Sequence, residues 1–434
     1  MRTGVPMVAV RDTAPSRASS PWLAAWPVTA VFVLSNAPTP LYVLWQHQLG
    51  FSAGTLTVIF AAYIAGLLAA LLVAGRASDR IGRKPVILPG LVLALVGCVL
   101  FATAGSVEVL ALARLLTGVA VGITVSAGMA AVVDVGGPER ARTATLAAST
   151  AMVFGAGLGP LLAGALSETL PAPTVSIFVL AAVLLLAAAV VAARLPLSRP
   201  SGDAGGGWVR VPAVPRAHRK HVALGIAVFA PGITSTSFVL SLGPALLADV
   251  LGTASRLLAG VTAFVMFGTA TAVQFAAKRL GLRAVLLTGA ISALACMASL
   301  LAAVHAGWIA AIVVTAIFAG AAQGLGQLGG LTMISTHIAA HRRAEANALL
   351  NFGGYIPAAL LPVATGYLSD SLGLATGTTI FAVVLSLAAL AAAALVWRRT
   401  STTRTDSPAE SVRRRRSRGP VRDDPAAQQV QRSL

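Results

Sequence analysis

Charge is what this 434-residue chain has least of: 11% of its residues are Asp, Glu, Lys or Arg, where a soluble domain carries roughly 25%. Acids are scarcer still, 14 against 32 Lys and Arg. With 57% hydrophobic residues and a mean hydropathy of +0.84, the chain reads as an integral membrane protein. Its two cysteines, Cys98 and Cys296, fall inside apolar runs. There they read as small packing residues, without disulfide or metal. The histidines His47, His218, His221, His305, His337 and His341 are scattered near the ends of apolar runs, and only the pair His337 and His341 has even a weak ligand spacing. No metal site is expected. No G-x-x-x-x-G-K-S/T is present, which argues against an ATP-driven pump in this chain. A membrane enzyme would need a cluster of His, Asp and Glu or an activated nucleophile, and none is apparent. The first 21 residues hold Arg2, Arg11 and Arg17 but no apolar run. The first apolar stretch has full membrane length and no obvious cleavage site, so it reads as a retained helix and not a signal peptide.

What the chain has in quantity is apolar runs. A span needs about 20 residues, because the hydrocarbon layer is about 30 Å thick and a helix rises about 1.5 Å per residue. Twelve runs qualify: 22–46, 54–75, 85–105, 107–134, 143–167, 174–195, 221–248, 255–277, 284–304, 307–336, 346–369 and 375–397. An even number puts both ends of the chain on one side. Of the 32 Lys and Arg, 30 fall in the terminal tails and in connections on that same side. The exceptions are Arg256, on the other side, and Arg114, inside the fourth span. The positive-inside rule then makes both termini cytoplasmic. Residues 196–220 break the pattern with Pro196, Pro200, Gly205 to Gly207, Pro212 and Pro215. They read as a flexible basic linker between two six-helix bundles, 22–195 and 221–397. The tails 1–21 and 398–434 are expected on the cytoplasmic side. The second, with Arg413 to Arg416 in a row, cannot bury a core and is expected to be disordered. It reads as a topogenic anchor, with docking onto anionic lipid as the alternative. Nucleic acid is not expected as a partner.

Two features organise the rest. Between the second and third runs lies GRASDRIGRK, residues 75–84, with five charges (Arg76, Asp79, Arg80, Arg83, Lys84) in ten residues. So short a connection between two spans is expected to be a tight interfacial turn, with Asp79 paired to a nearby Arg or facing a helix N-terminus. Gly75 and Gly82 would allow close approach and positive φ. The alternative is a solvated topogenic loop. The second feature is an internal repeat: GPLLAGALSE (159–168) matches LPVATGYLSD (361–370) at an offset of 202. Pro160 meets Pro362, Gly164 meets Gly366, Ser167 meets Ser369 and Glu168 meets Asp370. KRLGLR (278–283) weakly echoes the charged connection. Both halves begin on one side, so the repeat is parallel, and such repeats hold substrate near the midplane between the halves.

GRASDRIGRK resembles the G-x-x-x-D-R-x-G-R-R/K signature of the major facilitator superfamily, matching it at Gly75, Asp79, Arg80, Gly82, Arg83 and Lys84. The resemblance covers residues 22–397 and implies an all-α fold of twelve transmembrane helices in two bundles related by a pseudo-two-fold axis. It also implies that this connection latches the cytoplasmic ends of helices from opposite halves. Arg114, Gly118 and Gly122 resemble the family's Arg-containing fourth helix, whose Arg is implicated in proton coupling. A buried Arg costs a few kcal/mol unless paired or wet, so Arg114 is expected to face the cavity. The alternative is snorkelling toward Glu108. GAGLGPLLAG (155–164) resembles the G-x-x-x-G-P-x-x-G-G motif of the family's exporters through Gly155, Gly159, Pro160 and Gly164, with Ala163 where a Gly is common. Small residues there permit close helix packing, and Pro160 bends the helix.

Polar residues within the spans are the cavity candidates: Asn36, Tyr42, Gln46, Ser235 (within Thr234–Ser237), Gln323, Gln327, Asn351 and Tyr355. Asn36, Pro38 and Pro40 interrupt the first span, while Gln323/Gln327 and Asn351/Tyr355 each share a helix face. Interhelical hydrogen bonds are the alternative for every one of them. An apolar pocket with few polar handles suits amphipathic organic molecules. No mid-membrane acid stands in the first span, where many of the family's proton-driven exporters have one, so coupling would fall to Asp79, Glu108 and Arg114. The expected function is proton-linked efflux of drug-like compounds by a monomeric plasma-membrane antiporter, with a small organic substrate and lipid as partners and no cofactor beyond the proton gradient. The alternatives are an importer or facilitator of a metabolite and, from another class, a sensor or scaffold that transports nothing.

Overall fold

The computed structural model describes residues 20–197, 216–250, 252–339 and 342–401. Among them every regular element is helical. Twelve helices are long and apolar enough to cross a membrane: α1 (Pro21–Leu49), α2 (Ala53–Ile81), α3 (Lys84–Ala102), α4 (Val107–Gly136), α5 (Ala141–Thr169), α6 (Ser176–Arg194), α7 (His218–Ser241), α8 (Arg256–Arg279), α9 (Leu282–Ala306), α10 (Ile309–His337), α11 (Glu345–Leu372) and α12 (Leu374–Arg398). Nearly all of the tail 1–21, most of the linker 196–220 and the tail from residue 402 lie outside the described residues, as does His341.

Serine hydroxyls start several helices. Ser52 Oγ accepts from Thr55 N at 3.2 Å and Ser255 Oγ from Leu258 N at 3.1 Å, each satisfying one of the amides a helix leaves open. Within α1, Pro38 and Pro40 withhold two donors, and the helix narrows to a 3₁₀ turn at Thr39–Leu41 before resuming at Tyr42. The seventh span is shorter than the 221–248 expected. Its helix stops at Ser241, and Gly243–Ala245 and a wide turn at Leu246–Val250 follow, because Pro244 can open a turn but not continue one. The stretch after Ala74 corrects the sequence reading in the other direction. Gly75 to Ile81 are helical and extend α2, and the turn shrinks to Gly82 and Arg83. Arg76 and Arg80, one turn apart, are half-buried, so charge there marks a helix end at the lipid boundary. Of Gly75 and Gly82, Gly82 alone has a positive φ, +96°.

The helices pair the same way in each half. α1 packs on α5, α2 on α4, α3 on α4 and α3 on α6; α7 packs on α11, α8 on α10, α9 on α10 and α9 on α12. Adding six to the first set gives the second, which is the spatial form of the parallel repeat. The most extensive pairings between the halves are α5 with α8 and α2 with α11. Aromatic stacking ties the N-terminal half together, with Trp45 against Phe101 (6.0 Å) and Phe178 (6.1 Å). The outside is apolar: Val179, Val183, Leu186 and Val190 form an exposed stripe on α6 at helical spacing. Such a stripe fits a hydrocarbon surround and would be a liability in water.

Candidate functional site

One end of the bundle carries the α2–α3 turn, the α4–α5 turn with Arg140 and Arg142, and Lys278 and Arg279 at the end of α8. It is called the basic end here, and the opposite one the far end. A cavity of about 530 Å³ lies between the halves and runs toward the basic end, where Leu71, Leu146, Leu331 and Lys278 border it. Asn36, Gln323, Gln327, Asn351 and Tyr355 all line it. The one-turn spacings of Gln323/Gln327 and Asn351/Tyr355 put both members of each pair on the cavity side. Phe32, Phe60, Met152 and Phe267 make most of the remaining wall apolar.

Three cavity candidates sit elsewhere. Tyr42 follows the 3₁₀ break and is fully buried inside the N-terminal half, where its hydroxyl accepts from Arg114 Nε. Gln46 lies one turn further toward the far end and does not line the cavity. Ser235 donates to the Pro231 carbonyl of its own helix at 2.8 Å, and the neighbouring Thr236 and Ser237 line the wall instead. Sequence reasoning missed Tyr63 on α2 and the stripe Phe267, Thr271, Gln274, Lys278 on α8. The signal is present, since those α8 positions recur at helical spacing, but the sequence reading uses Lys278 for topology and for the KRLGLR echo and not as a wall residue.

Arg114 does not stand on the cavity wall. It is fully buried one layer behind it, donating to Tyr42 Oη and to the Ser35 carbonyl. Four rings surround its Cζ: Tyr42 at 5.1 Å, Phe60 at 5.6 Å, Phe101 at 5.8 Å and Tyr63 at 5.9 Å. Cation–π attraction and two hydrogen bonds offset part of the cost of burying this charge. Nη2 has no partner, and among the described residues no carboxylate pairs with Arg114. Glu108 is exposed in the first turn of α4, at the far end.

At the basic end Arg83 joins Asp79 (2.8 Å) and Asp134 (3.0 Å), and Lys84 Nζ donates to the Ala193 carbonyl at 2.9 Å. Those partners belong to α2, α4 and α6, all in the N-terminal half. Burial alone would lower the Arg83 pKa, but its bonds to Asp134 and Asp79 outweigh that and hold it above its ordinary value. Gly75 lets α2 approach the wide turn of α4: a Cβ there would sit 3.2 Å from Ser126 Oγ.

At the far end the bonds cross between halves, in matched pairs. Glu168, at the end of α5, accepts from Ser255 Oγ (3.0 Å) and Leu257 N (2.9 Å) at the start of α8. Asp370, near the end of α11, accepts from Ala53 N (2.9 Å) and Gly54 N (3.0 Å) at the start of α2. Each carboxylate thus caps a helix of the other half at its positive end. The glycines beside them bring backbones together. A Cβ at Gly164 would run into the Arg256 carbonyl, and one at Gly366 would stand 2.8 Å from the Ala53 carbonyl. The small residues of α5 divide between two faces. Gly155 and Gly159 meet Thr29 and Val33 of α1, while Pro160 and Gly164 meet Gly260 and Arg256 of α8.

Comparison with known proteins places this architecture. Over 76 residues, 18% of the chain, it is 38% identical to the multidrug resistance protein MdtL of Klebsiella pneumoniae strain 342. It is 37% identical over 75 residues to MdtL of Escherichia coli strain HS. Each match spans only 19% of the relative's length. Among solved structures, a mutant of the nucleoside transporter NupG superimposes with a TM-score of 0.70 at 13% identity, over 86% of this chain and 98% of that one. A bacterial homologue of the human lysosomal transporter Spinster, inward-facing and occupied, does so with a TM-score of 0.69 at 14% identity, over 90% and 98%. At such identities the likeness speaks to the fold. The model of the Major Facilitator Superfamily matches twice, over residues 25–277 and 224–428. Twelve spans in two equivalent halves, a cavity between them and that double match together make this chain a multi-pass membrane transporter of the Major Facilitator Superfamily, and not an enzyme.

Proposed function

We propose that this secondary transporter exports small amphipathic organic compounds across the cell membrane by alternating access, with the proton gradient as its energy source. The basic end and both termini face the cytoplasm, following the distribution of Lys and Arg. The observation that carries the reading is the 530 Å³ cavity, bounded by both halves and running toward the basic end, while cross-half bonds join the halves at the other. Its wall of aromatic and aliphatic side chains, broken by a few amides and hydroxyls, suits an apolar body with sparse polar groups. The exporter-like α5 stretch and the partial likeness to MdtL favour outward movement. Everted membrane vesicles test it. An inside-acid gradient is expected to drive a fluorescent amphipathic dye into them, and an uncoupler to abolish the uptake. Accumulation only under the opposite gradient contradicts export.

A second reading, an importer or facilitator, is favoured by one observation: none of the described carboxylates lines the cavity. Coupling would then have to work through Asp79, Glu108 and Arg114, none of which lines the cavity. Flux that ignores the gradient in the same vesicles selects this reading.

A further inference from the structure

The cavity has a sign. None of the described acids lines it, and Lys278 stands at its mouth. Directly behind its N-terminal wall sits Arg114, fully buried, within 6 Å of the rings of Phe60 and Tyr63, both wall residues. Arg114 Nη1 is anchored on the Ser35 carbonyl, one residue before the wall residue Asn36. Nη2 has no acceptor, and no carboxylate among the described residues balances the charge. A buried cation without a counter-ion is a standing cost that an incoming anion relieves. The ring faces around it offset the charge but supply no acceptor for the remaining N–H. On the opposite wall Gln323 Oε1 is likewise without a donor.

We propose that the cavity selects organic anions: compounds with an apolar aromatic body and one carboxylate, which docks past Phe60 and Tyr63 onto Arg114 Nη2. A hydroxyl at the far side of such a compound donates to Gln323 Oε1, which has no donor of its own. Lys278 favours entry of the same sign of charge from the basic end. Arg114 is then a specificity-determining residue, and organic cations of equal size are the compounds this transporter rejects. The inference rests on the cavity being the substrate site and is independent of the direction of transport.

The test is equilibrium binding to the full chain in lipid nanodiscs, with no gradient, using three probes of one shape: biphenylcarboxylate, biphenylcarboxamide and phenylbenzylammonium. The carboxylate is expected to bind about tenfold or more tighter than the amide, and the ammonium weakest. Arg114→Gln is expected to erase the difference between carboxylate and amide, and Arg114→Lys to keep most of it. Because Arg114→Gln removes a buried anchor and can fail to fold, Asn36→Asp gives a second reading: a carboxylate on the wall beside the guanidinium is expected to abolish the carboxylate preference. Equal affinities, a preference for the ammonium, or no binding of any probe by the wild-type protein overturns the proposal. So does a carboxylate preference unchanged in both Arg114→Gln and Asn36→Asp. Failure of gradient-driven export in vesicles, with the ranking intact, overturns only the export reading.

Discussion

The two ends of the molecule use similar chemistry, carboxylates set beside donors, on different sides of the boundary between the halves. At the far end Glu168 and Asp370 reach across it, each onto the first turn of a helix in the opposite half. At the basic end the bonds of Asp79, Arg83 and Lys84 join α2, α4 and α6, which belong to one half. The cavity runs toward the basic end. Where a carboxylate finds its donor therefore decides whether it holds the halves together or stiffens one of them.

The largest effects are expected on α5, whose two glycine faces separate these roles. Gly159→Val drives a side chain into the Val33 carbonyl inside one half. It is expected to destabilise that half by roughly 3 kcal/mol, an overpacked core with little room to relax, read as loss of the monodisperse species in detergent. Gly164→Val meets the Arg256 carbonyl across the boundary. It is expected to leave a folded protein whose transport is lost, because the far end no longer closes. If both variants fold and transport alike, the division of α5 is wrong.

Smaller effects belong to the clasp. Glu168→Gln and Asp370→Asn are each expected to weaken far-end closure by about 1 kcal/mol, the scale of a charged cap at an exposed helix start. The two sites share no partner, so the double variant should sum them. Labelling of single cysteines at the far end, against the buried native Cys98 and Cys296, reports the shift as a faster rate. The least is expected of Arg83→Gln. Its pairs with Asp79 and Asp134 are partly exposed, and such pairs contribute under about 1 kcal/mol. Thermal unfolding should barely change, and a large loss of stability would show that the basic end is held more tightly than its bonds indicate.

Much of this was legible in the chain. Span length and the placement of Lys and Arg gave twelve helices, and the offset of 202 paired Glu168 with Asp370 before either was seen capping a helix of the opposite half. Spacing by one turn put Gln323 with Gln327 and Asn351 with Tyr355 on common faces. What periodicity could not give was depth. In a helix apolar all round, nothing in the local pattern tells whether Arg114 stands on a wall or behind it; the rings of α1, α2 and α3 decide that, and they also draw Tyr42 away from the cavity. Charge after Ala74 suggested a loop, but Gly75 to Ile81 are helical, because a helix end at a lipid boundary can carry charge.

The most direct test of a clasp joining the halves is a pair of distances measured by pulsed spin-label spectroscopy in nanodiscs. Labels at Thr103 and Trp308 span the halves at the far end, and labels at Glu139 and Arg342 span them at the basic end, all on exposed positions. In Glu168→Gln/Asp370→Asn the far-end distance should lengthen while the basic-end distance shortens, as rigid halves rocking about the cavity require. A far-end distance that stays fixed, or two distances that change in the same direction, would contradict the account.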